Sequence, residues 1–193
     1  HKIQHLKLRA RNPLYDAREV FLFECYTGIR ISDILTLKWK HITDEKISIR
    51  MRKTEKLLSI PINDYVRAVL DRRRCAVENN GGKITSEKYV FNILKVDVDE
   101  VSAQDALNAI SSATAVINKQ LKKIAKKTGI DKNLSTHCAR HSYATALLTN
   151  NIPLPVIKEM LGHSDIKVTQ IYAKVVDSKR NEVVECLNKV YHG

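Results

Sequence analysis

The sequence lacks long apolar runs, has fewer acidic than basic residues, and contains few aromatic residues. No apolar stretch approaches the roughly 20 residues that a membrane-spanning helix needs, so a membrane protein is not expected. Seven Tyr, three Phe and one Trp are too few and too scattered to predict a surface that stacks on nucleic-acid bases. The N-terminus has no signal-peptide pattern, which argues against secretion, and no initiator Met, so we expect a fragment of a longer protein.

Cysteine is also sparse, and its spacing excludes two kinds of site. The four cysteines, at positions 25, 75, 138 and 186, form no CxxC pair. This spacing is not that of a structural zinc site or of a disulfide framework. We therefore expect reduced, buried thiols in a cytoplasmic protein.

The deficit of acidic residues makes the chain strongly basic. Thirty-three Lys and Arg stand against twenty-one Asp and Glu, which gives a net charge of +12 and a pI near 9.6. This balance favours a polyanionic partner, nucleic acid before an anionic membrane. The 193 residues, 44% hydrophobic and 28% charged, fit an ordinary globular protein. No internal repeat or low-complexity linker divides them, so we predict one domain over residues 1–193.

Apolar periodicity predicts that most of the chain is helical. Local signals predict the helix boundaries. Asn63 and Ser102 are predicted to cap the N-termini of helices, and Gly28 and Gly129 are predicted to follow helix C-termini. A short helix is expected directly after Gly28, and another after Ser164. Longer helices are expected over residues 16–26, 64–78, 103–127, 136–149 and 155–161. Residues 103–127 are predicted to form either one long helix or two short ones.

A small antiparallel sheet is predicted between the first helices. Ile47, Ile49 and Met51 alternate with polar residues, and the alternation resumes at residues 58–60. This period of two predicts a β-hairpin within residues 46–62. A further short strand is expected over residues 89–94. The fold class is therefore mostly α with a small antiparallel sheet, an α+β arrangement. The turn of the hairpin carries three basic residues, Arg52, Lys53 and Lys56.

The C-terminal segment, residues 177–193, is predicted to form an amphipathic tail helix. Val183, Val184, Leu187 and Val190 share one apolar face, with Lys and Glu opposite. Two interpretations stay open, namely docking onto a neighbouring subunit and packing on the chain's own domain. Truncation of the tail that left oligomerisation on DNA unchanged would argue against docking.

Six polar side chains stand within or beside otherwise apolar patterns. Each has an ordinary explanation by itself, such as an ion pair between Arg30 and Asp33 or a buried structural histidine. Only His137 and Arg140 are near in sequence, one helical turn apart on the same face. The functional interpretation depends on the joint occurrence and order of the whole set: Arg30, Lys53, His137, Arg140, His163 and Tyr172.

This joint pattern resembles the tyrosine recombinase and phage integrase family. Residues 27–35 (TGIRISDIL) are similar to the family's first arginine box, and residues 137–145 (HCARHSYAT) to its second. Residues 161–164 (LGHS) and 169–172 (TQIY) complete the pattern. One departure is Ala139, where Leu is more common in the family. The Lys53-Thr54 step and the second box look most like integrases of Bacteroides-type mobile elements or conjugative transposons.

The resemblance implies a tyrosine recombinase catalytic-domain fold and a role for each matched residue. Arg30 and Arg140 would bind the non-bridging oxygens of the scissile phosphate, because two guanidinium groups form bidentate, always-charged contacts. Tyr172 would be the nucleophile and His137 the general base that accepts its proton. His163 would donate a hydrogen bond to a phosphate oxygen.

The hairpin and its surroundings would supply the remaining groups. Lys53 would protonate the leaving 5′ oxygen, with Lys56 as the alternative for that role. Arg52 and Lys56 would contact DNA, and Asp33 would orient one of the arginines. No metal and no cofactor is expected, because the energy of the broken bond is kept in the phosphotyrosine link. His137 and His141 have the spacing of a zinc-protease motif, but that motif requires Glu where this chain has Cys138.

The implied activity is site-specific recombination or integration of DNA through a 3′-phosphotyrosyl intermediate. The partners would be double-stranded DNA with a specific site and three further copies of the protein, without a membrane, in a bacterial cytoplasm. The family's N-terminal DNA-binding domains are expected to be missing, so that this chain is the C-terminal part. One alternative is a non-catalytic helix-turn-helix regulator formed by residues 155–175, and another is a type IB topoisomerase-like strand-passage enzyme. A regulator would tolerate Tyr172→Phe, and a recombinase would not.

Overall fold

The computed structural model describes residues 2–163, and within them the chain is mostly helical with one two-stranded antiparallel sheet. This confirms the predicted fold class. The short helix predicted after Ser164, the position of Tyr172 and the tail helix lie outside the described residues. The elements are α1 (Tyr15–Thr27), α2 (Ile31–Leu35), a 3₁₀ turn (Trp39–His41), β1 (Lys46–Arg50), β2 (Leu57–Pro61), α3 (Asp64–Glu78), α4 (Ala103–Thr128), α5 (Thr136–Thr149) and α6 (Leu154–Met160).

Helix α1 is the centre of the fold. It packs against α2, α3, α4 and α5, and Val20 and Phe23 on it have no exposed surface. The helix ends at Gly28, whose φ of 67° lies in the left-handed region and whose N–H donates to the Glu24 carbonyl oxygen at 2.8 Å. The glycine thus ends α1 as predicted, and the chain turns directly into Arg30 and α2.

The hairpin forms as the alternation predicts. Ile47 pairs with Ile60 and Ile49 with Leu58, and in both strands these residues face the core while their neighbours are exposed. β1 ends at Arg50, one residue before the buried Met51, whose N–H donates to the Lys56 carbonyl oxygen at 2.9 Å. The turn between the strands therefore projects its basic side chains away from the core.

Short polar side chains mark the helix starts that the sequence predicts. The Asn63 side chain accepts a hydrogen bond from Val66 at 3.0 Å, and the Ser102 side chain accepts one from Asp105 at 3.1 Å. α4 is one helix of 26 residues, which resolves the alternative of one helix or two. The predicted bounds of α5 are also confirmed. These ends could be predicted because each is determined by a local hydrogen bond.

The strand predicted over residues 89–94 was wrong. The backbone of Tyr89 forms an isolated β-bridge to Lys38, and the chain then turns, with the Ile93 N–H donating to the Phe91 carbonyl oxygen at 2.8 Å. Val90 and Phe91 are consecutive and both buried, whereas a half-buried strand buries alternate residues. Phe91 packs edge-on against Phe23 of α1, with ring centroids 5.2 Å apart. The apolar run therefore anchors a loop to the core.

Two further expectations concern thiols and membranes. Cys25 and Cys138 are partly buried free thiols, but Cys75 is exposed on α3, so the prediction that all the cysteines are buried was wrong. Cys186 lies outside the described residues.

Within residues 2–163, no helix has the length and apolarity to cross a membrane.

Replacing Gly28 by Ala is expected to lower the free energy of unfolding by about 3 kcal/mol. The residue needs a positive φ, and an added Cβ would overlap the ring of Tyr143 on α5. Gly129→Ala is the matched control, because Gly129 has a φ of 62° but no atom within 4 Å of the added Cβ. Its expected loss is about 1 kcal/mol. Urea unfolding followed by circular dichroism measures both, and equal losses would contradict a role for the Tyr143 contact.

Candidate active site

The residues singled out from the sequence line one cavity. It has a volume of about 450 Å³ and lies where the end of α1, the start of α2, the hairpin turn, the start of α5 and the segment after α6 meet. It contains five of the six expected catalytic residues, and the sixth, Tyr172, lies outside the described residues. The lining residues are Glu24, Arg30, Ile31, Ser32, Lys53, Thr54, Thr136, His137, Arg140 and His163.

Arg140 is held by the ends of two helices. Its guanidinium donates to the carbonyl oxygen of Gly28, which ends α1, and to that of Leu161, which ends α6, the second at 2.5 Å. Carbonyl groups at helix ends have no partner within the helix, so they are available as acceptors. Arg140 is 8% exposed and carries its charge into the cavity wall. The sequence predicts the arginine but not these partners, because any residue supplies a carbonyl oxygen.

Arg30 has weaker partners than Arg140. One guanidinium nitrogen lies 3.3 Å from the Met51 sulfur and the other 3.4 Å from the Gly162 carbonyl oxygen. A thioether sulfur and a long carbonyl contact are weak acceptors, so the guanidinium keeps donor capacity for an anion in the cavity. The ordinary interpretation, an ion pair with Asp33, does not occur among the described residues.

Asp33 fixes the hairpin turn. The sequence predicted that it orients an arginine side chain, but its Oδ1 accepts a hydrogen bond from the backbone N–H of Arg52 at 2.9 Å. The reason is packing, because α2 brings the 4% exposed Asp33 beneath the residue that precedes Lys53. Burial raises the pKa of Asp33, and the Arg52 N–H and the charges of Arg30 and Arg140 oppose that rise.

The three basic residues of the turn lie in different places. Lys53 is exposed and lines the cavity together with Thr54. Arg52 and Lys56 are also exposed, but neither is among the described residues that line the cavity. The geometry therefore favours Lys53 over Lys56 as the lysine of the site. Arg52 and Lys56 are exposed cations in the same turn as Lys53.

His137 contacts a second histidine that the sequence interpretation did not assign to the site. The Nε2 atoms of His137 and His141 are 2.6 Å apart, and their rings are nearly perpendicular. One of the two nitrogens must carry a hydrogen and the other accept it, so each ring constrains the tautomer of the other. Burial lowers the pKa of His141, and electrostatic repulsion from His137 and Arg140 lowers it further. The position of His141, four residues after His137 on α5, was the signal in the sequence that could have identified it.

His163 is uncharged at neutral pH. Burial lowers its pKa from 6.5 to about 4, and the nearby charges of Arg140, Arg30 and Lys53 act in the same direction. Its backbone N–H donates to the Lys158 carbonyl oxygen at 3.0 Å, which holds it just after α6. A neutral imidazole keeps one N–H that can donate to a phosphate oxygen.

Glu24 is a residue of the cavity that the sequence interpretation missed. It is 2% exposed, and its Oε2 has no hydrogen-bond partner within residues 2–163. Burial raises its pKa to about 9, opposed by the charge of Arg140 and reinforced by Cys138. Glu24 is therefore an uncharged acid at neutral pH. A carboxyl group in the middle of the apolar run of α1 was the signal that could have identified it.

Comparison with known proteins gives relatives over most of the chain. The tyrosine recombinase XerD of Listeria monocytogenes serotype 4b (strain F2365) is 48% identical over 160 residues, which cover 81% of this chain and 49% of the relative. The tyrosine recombinase XerA of Saccharolobus solfataricus is 30% identical over 163 residues, covering 84% of this chain and 47% of the relative. The chain thus spans about half the length of these relatives.

The same comparison extends to solved structures and to a family model. A structure of the XerH site-specific recombinase bound to palindromic difH substrate, a post-cleavage complex, superposes with a TM-score of 0.64 at 21% identity. The match covers 97% of this chain and 49% of that one, and at this identity it shows a shared fold. The model described as the phage integrase family matches residues 4–179. With that match and its tyrosine recombinase relatives, the chain belongs to the phage integrase family.

Proposed function

We propose that this chain is the DNA-cleaving part of a site-specific recombinase, which cuts and rejoins strands through a 3′-phosphotyrosyl intermediate without metal or ATP. The observation that carries the proposal is the single cavity lined by Arg30, Lys53, His137, Arg140 and His163. These residues come from four separate parts of the chain, and ordinary core packing does not require them to meet. The tyrosine recombinase relatives support the same activity.

The arginines and His163 would stabilise the phosphate. Attack on a phosphodiester produces a pentavalent state with extra negative charge on the non-bridging oxygens. Arg30 and Arg140 would each donate to those oxygens, and neutral His163 would add one N–H. A preorganised donor of this kind contributes on the order of 3 kcal/mol to the stability of the transition state.

Proton transfers at the two reacting oxygens would complete the reaction. The Tyr172 hydroxyl would give its proton to His137 and bond to phosphorus, because a phenol is a poor nucleophile until it loses its proton. The bond between phosphorus and the 5′ oxygen would break, and Lys53 would protonate that oxygen. Rejoining runs the same steps backwards, with the 5′ hydroxyl as nucleophile. The phosphotyrosine link keeps the energy of the broken bond.

The substrate would be double-stranded DNA with a specific recombination site. The net charge of +12 favours a polyanion, and the exposed Arg52 and Lys56 lie in the same turn as Lys53, which lines the cavity, so a DNA backbone bound there would meet all three cations. Recombination between two duplexes requires four cleavages, so the active assembly would be a homotetramer on DNA. The tail segment, residues 177–193, would contribute to that assembly or pack on its own subunit.

The two alternative functions are each less well supported, for different reasons. A helix-turn-helix regulator would need α6 and the segment after it, but it has no use for Arg30, His137 and Arg140 around one cavity. A type IB topoisomerase-like enzyme would use the same chemistry. The relatives, which are named as recombinases, favour recombination.

Covalent trapping tests the proposal. Duplexes are first selected for binding to this chain, and a nick is then placed so that cleavage releases a short fragment that diffuses away. With EDTA present, the expected result is a protein–DNA product that survives denaturing electrophoresis. Absence of that product with both this chain and the full-length gene product would overturn the proposed activity.

Lys53→Ala is expected to lower cleavage by about a hundredfold, because general acid catalysis typically contributes that much or more. Lys56→Ala, in the same turn but away from the cavity, is the matched control and should lower it by less than about threefold. Replacing the leaving 5′ oxygen by sulfur should restore the Lys53→Ala rate, since a thiolate leaves without protonation. Single-turnover cleavage on both substrates measures this, and a sulfur substrate that rescues only Lys56→Ala would reverse the assignment.

A further inference from the structure

His141 lies between the active-site cavity and a second groove on the protein surface. His137 lines the active-site cavity, and His141, one helical turn later, lines a separate groove along α5. The wall of this groove includes the exposed Ser142 and Ala146. The Nε2 atoms of the two histidines are 2.6 Å apart. The histidine pair therefore connects the active-site cavity to a part of the surface outside it.

The contact leaves one nitrogen of His137 for the substrate side. Because Nε2 of His137 faces His141, Nδ1 is the nitrogen that can accept a proton from Tyr172. An imidazole that gains a proton at one nitrogen can release another proton from its second nitrogen. Within residues 2–163, no hydrogen bond or ion pair joins His137 to a carboxylate, the group that often orients a histidine base. The group that contacts its second nitrogen is another histidine.

We propose that His141 relays the proton that His137 takes from Tyr172 to the groove along α5, and returns a proton on rejoining. This role rests on the function proposed above. DNA bound to Arg30 and Arg140 would cover the cavity and separate His137 from bulk water. His137 would then keep its extra proton unless a neighbouring group accepts one. His141 touches no reacting atom, so it is a positioning residue that acts through His137.

Each step of the relay breaks one bond to hydrogen and forms another. The Tyr172 O–H bond breaks as its oxygen bonds to phosphorus, and an N–H bond forms at Nδ1 of His137. The Nε2–H bond of His137 breaks and an N–H bond forms at Nε2 of His141, whose Nδ1 proton leaves to water in the groove. Both rings end neutral with their tautomers exchanged. Rejoining uses the same steps in reverse.

His141→Ala is expected to lower single-turnover cleavage of the nicked duplex by about tenfold, less than the loss of the base itself would cause. Imidazole added to the buffer should restore the rate to within about threefold of wild type, because it fits the vacated space and carries the proton. His141→Gln keeps an acceptor for the His137 N–H but cannot pass a proton on. It should therefore stay slow with or without imidazole.

Ser142→Ala is the control in the same groove and should change the rate by less than about twofold. A His141→Ala rate equal to that of wild type overturns the proposal, and so does a slow rate that imidazole leaves unchanged. A wild-type rate in His141→Gln also overturns it, because His141 would then only fix the tautomer of His137.

A measurement on the wild type keeps the proposal testable if the His141 variants do not fold. The rate is followed in mixtures of light and heavy water on the substrate with a 5′ sulfur, which needs no proton from Lys53. Two protons moving together, at Nδ1 and Nε2 of His137, predict a curved dependence on the deuterium fraction. A straight line indicates one moving proton and overturns the relay.

Nuclear magnetic resonance of the protein alone separates this proposal from the proposed function. At about pH 8, where both rings are neutral, nitrogen-15 shifts should show His137 protonated at Nε2 and His141 at Nδ1. The opposite pair of tautomers overturns the relay even if DNA is cleaved. If no protein links to DNA, the recombinase activity fails, and the tautomers still report on the histidine pair. If DNA is cleaved at a rate that does not depend on His141, the activity stands and the relay fails.

Discussion

Replacing Arg140 by Lys is expected to lower the rate of DNA cleavage by about a thousandfold while the protein stays folded. The guanidinium has enough donors to bind the carbonyl oxygens of Gly28 and Leu161 and still face the cavity. A lysine ammonium is a compact charge that cannot reach both carbonyl groups and a phosphate in the same geometry. Single-turnover cleavage on the nicked duplex measures the loss.

Arg73→Lys is the control for the Arg140 result. Arg73 is similarly buried, at 5% exposure against 8%, and its guanidinium also makes a carbonyl contact, to Val90 at 3.2 Å. It pairs with Asp16 at 2.5 Å and is not among the described residues that line the active-site cavity. The control should lose stability and keep its cleavage rate. Equal losses of cleavage in the two variants would mean that Arg140 acts only through folding.

Tyr172→Phe is expected to abolish the covalent product, a loss of at least about a thousandfold, with DNA binding changed by less than about twofold. The ring is kept, and only the hydroxyl that would attack phosphorus is removed. Gel mobility shift measures binding and denaturing electrophoresis measures the covalent product. A regulator of the helix-turn-helix type would bind DNA equally well with Tyr or Phe at position 172 and form no covalent product with either, so that pair of results would favour the alternative.

A matched tyrosine makes the Tyr172 result specific. Tyr65→Phe removes another hydroxyl, from an exposed ring on α3 that contacts Tyr26 and does not line the cavity. Its covalent product should form at the wild-type rate. A comparable loss in Tyr65→Phe would indicate that the assay responds to general damage and not to a missing nucleophile.

Much of the fold could be predicted because its boundaries are encoded locally. Asn63 and Ser102 cap helices through hydrogen bonds to residues three positions later, and Gly28 supplies the left-handed backbone that ends α1. The hairpin follows from alternation, since one face is buried. Residues 89–94 could not be predicted in this way, because the burial of consecutive Val90 and Phe91 is decided by the distant ring of Phe23.

The site was predictable in its residues and not in its contacts. Arg30 and Arg140 could be identified from their motifs, but Arg140 is held by backbone carbonyl groups, which leave no mark on the sequence. Asp33 likewise binds a backbone N–H, that of Arg52. The neutral state of Glu24 depends on burial by elements far apart in the chain, so no local pattern reveals it.

Mapping the DNA-linked residue tests the central claim most directly. The covalent product formed in EDTA is digested with protease and nuclease, and the peptide that carries the nucleotide is sequenced by mass spectrometry. The predicted result is a single modified peptide with a 3′-phosphate of DNA bonded to the oxygen of Tyr172. A nucleotide attached to any other residue, or cleavage that occurs only when a divalent metal is restored, would contradict the account.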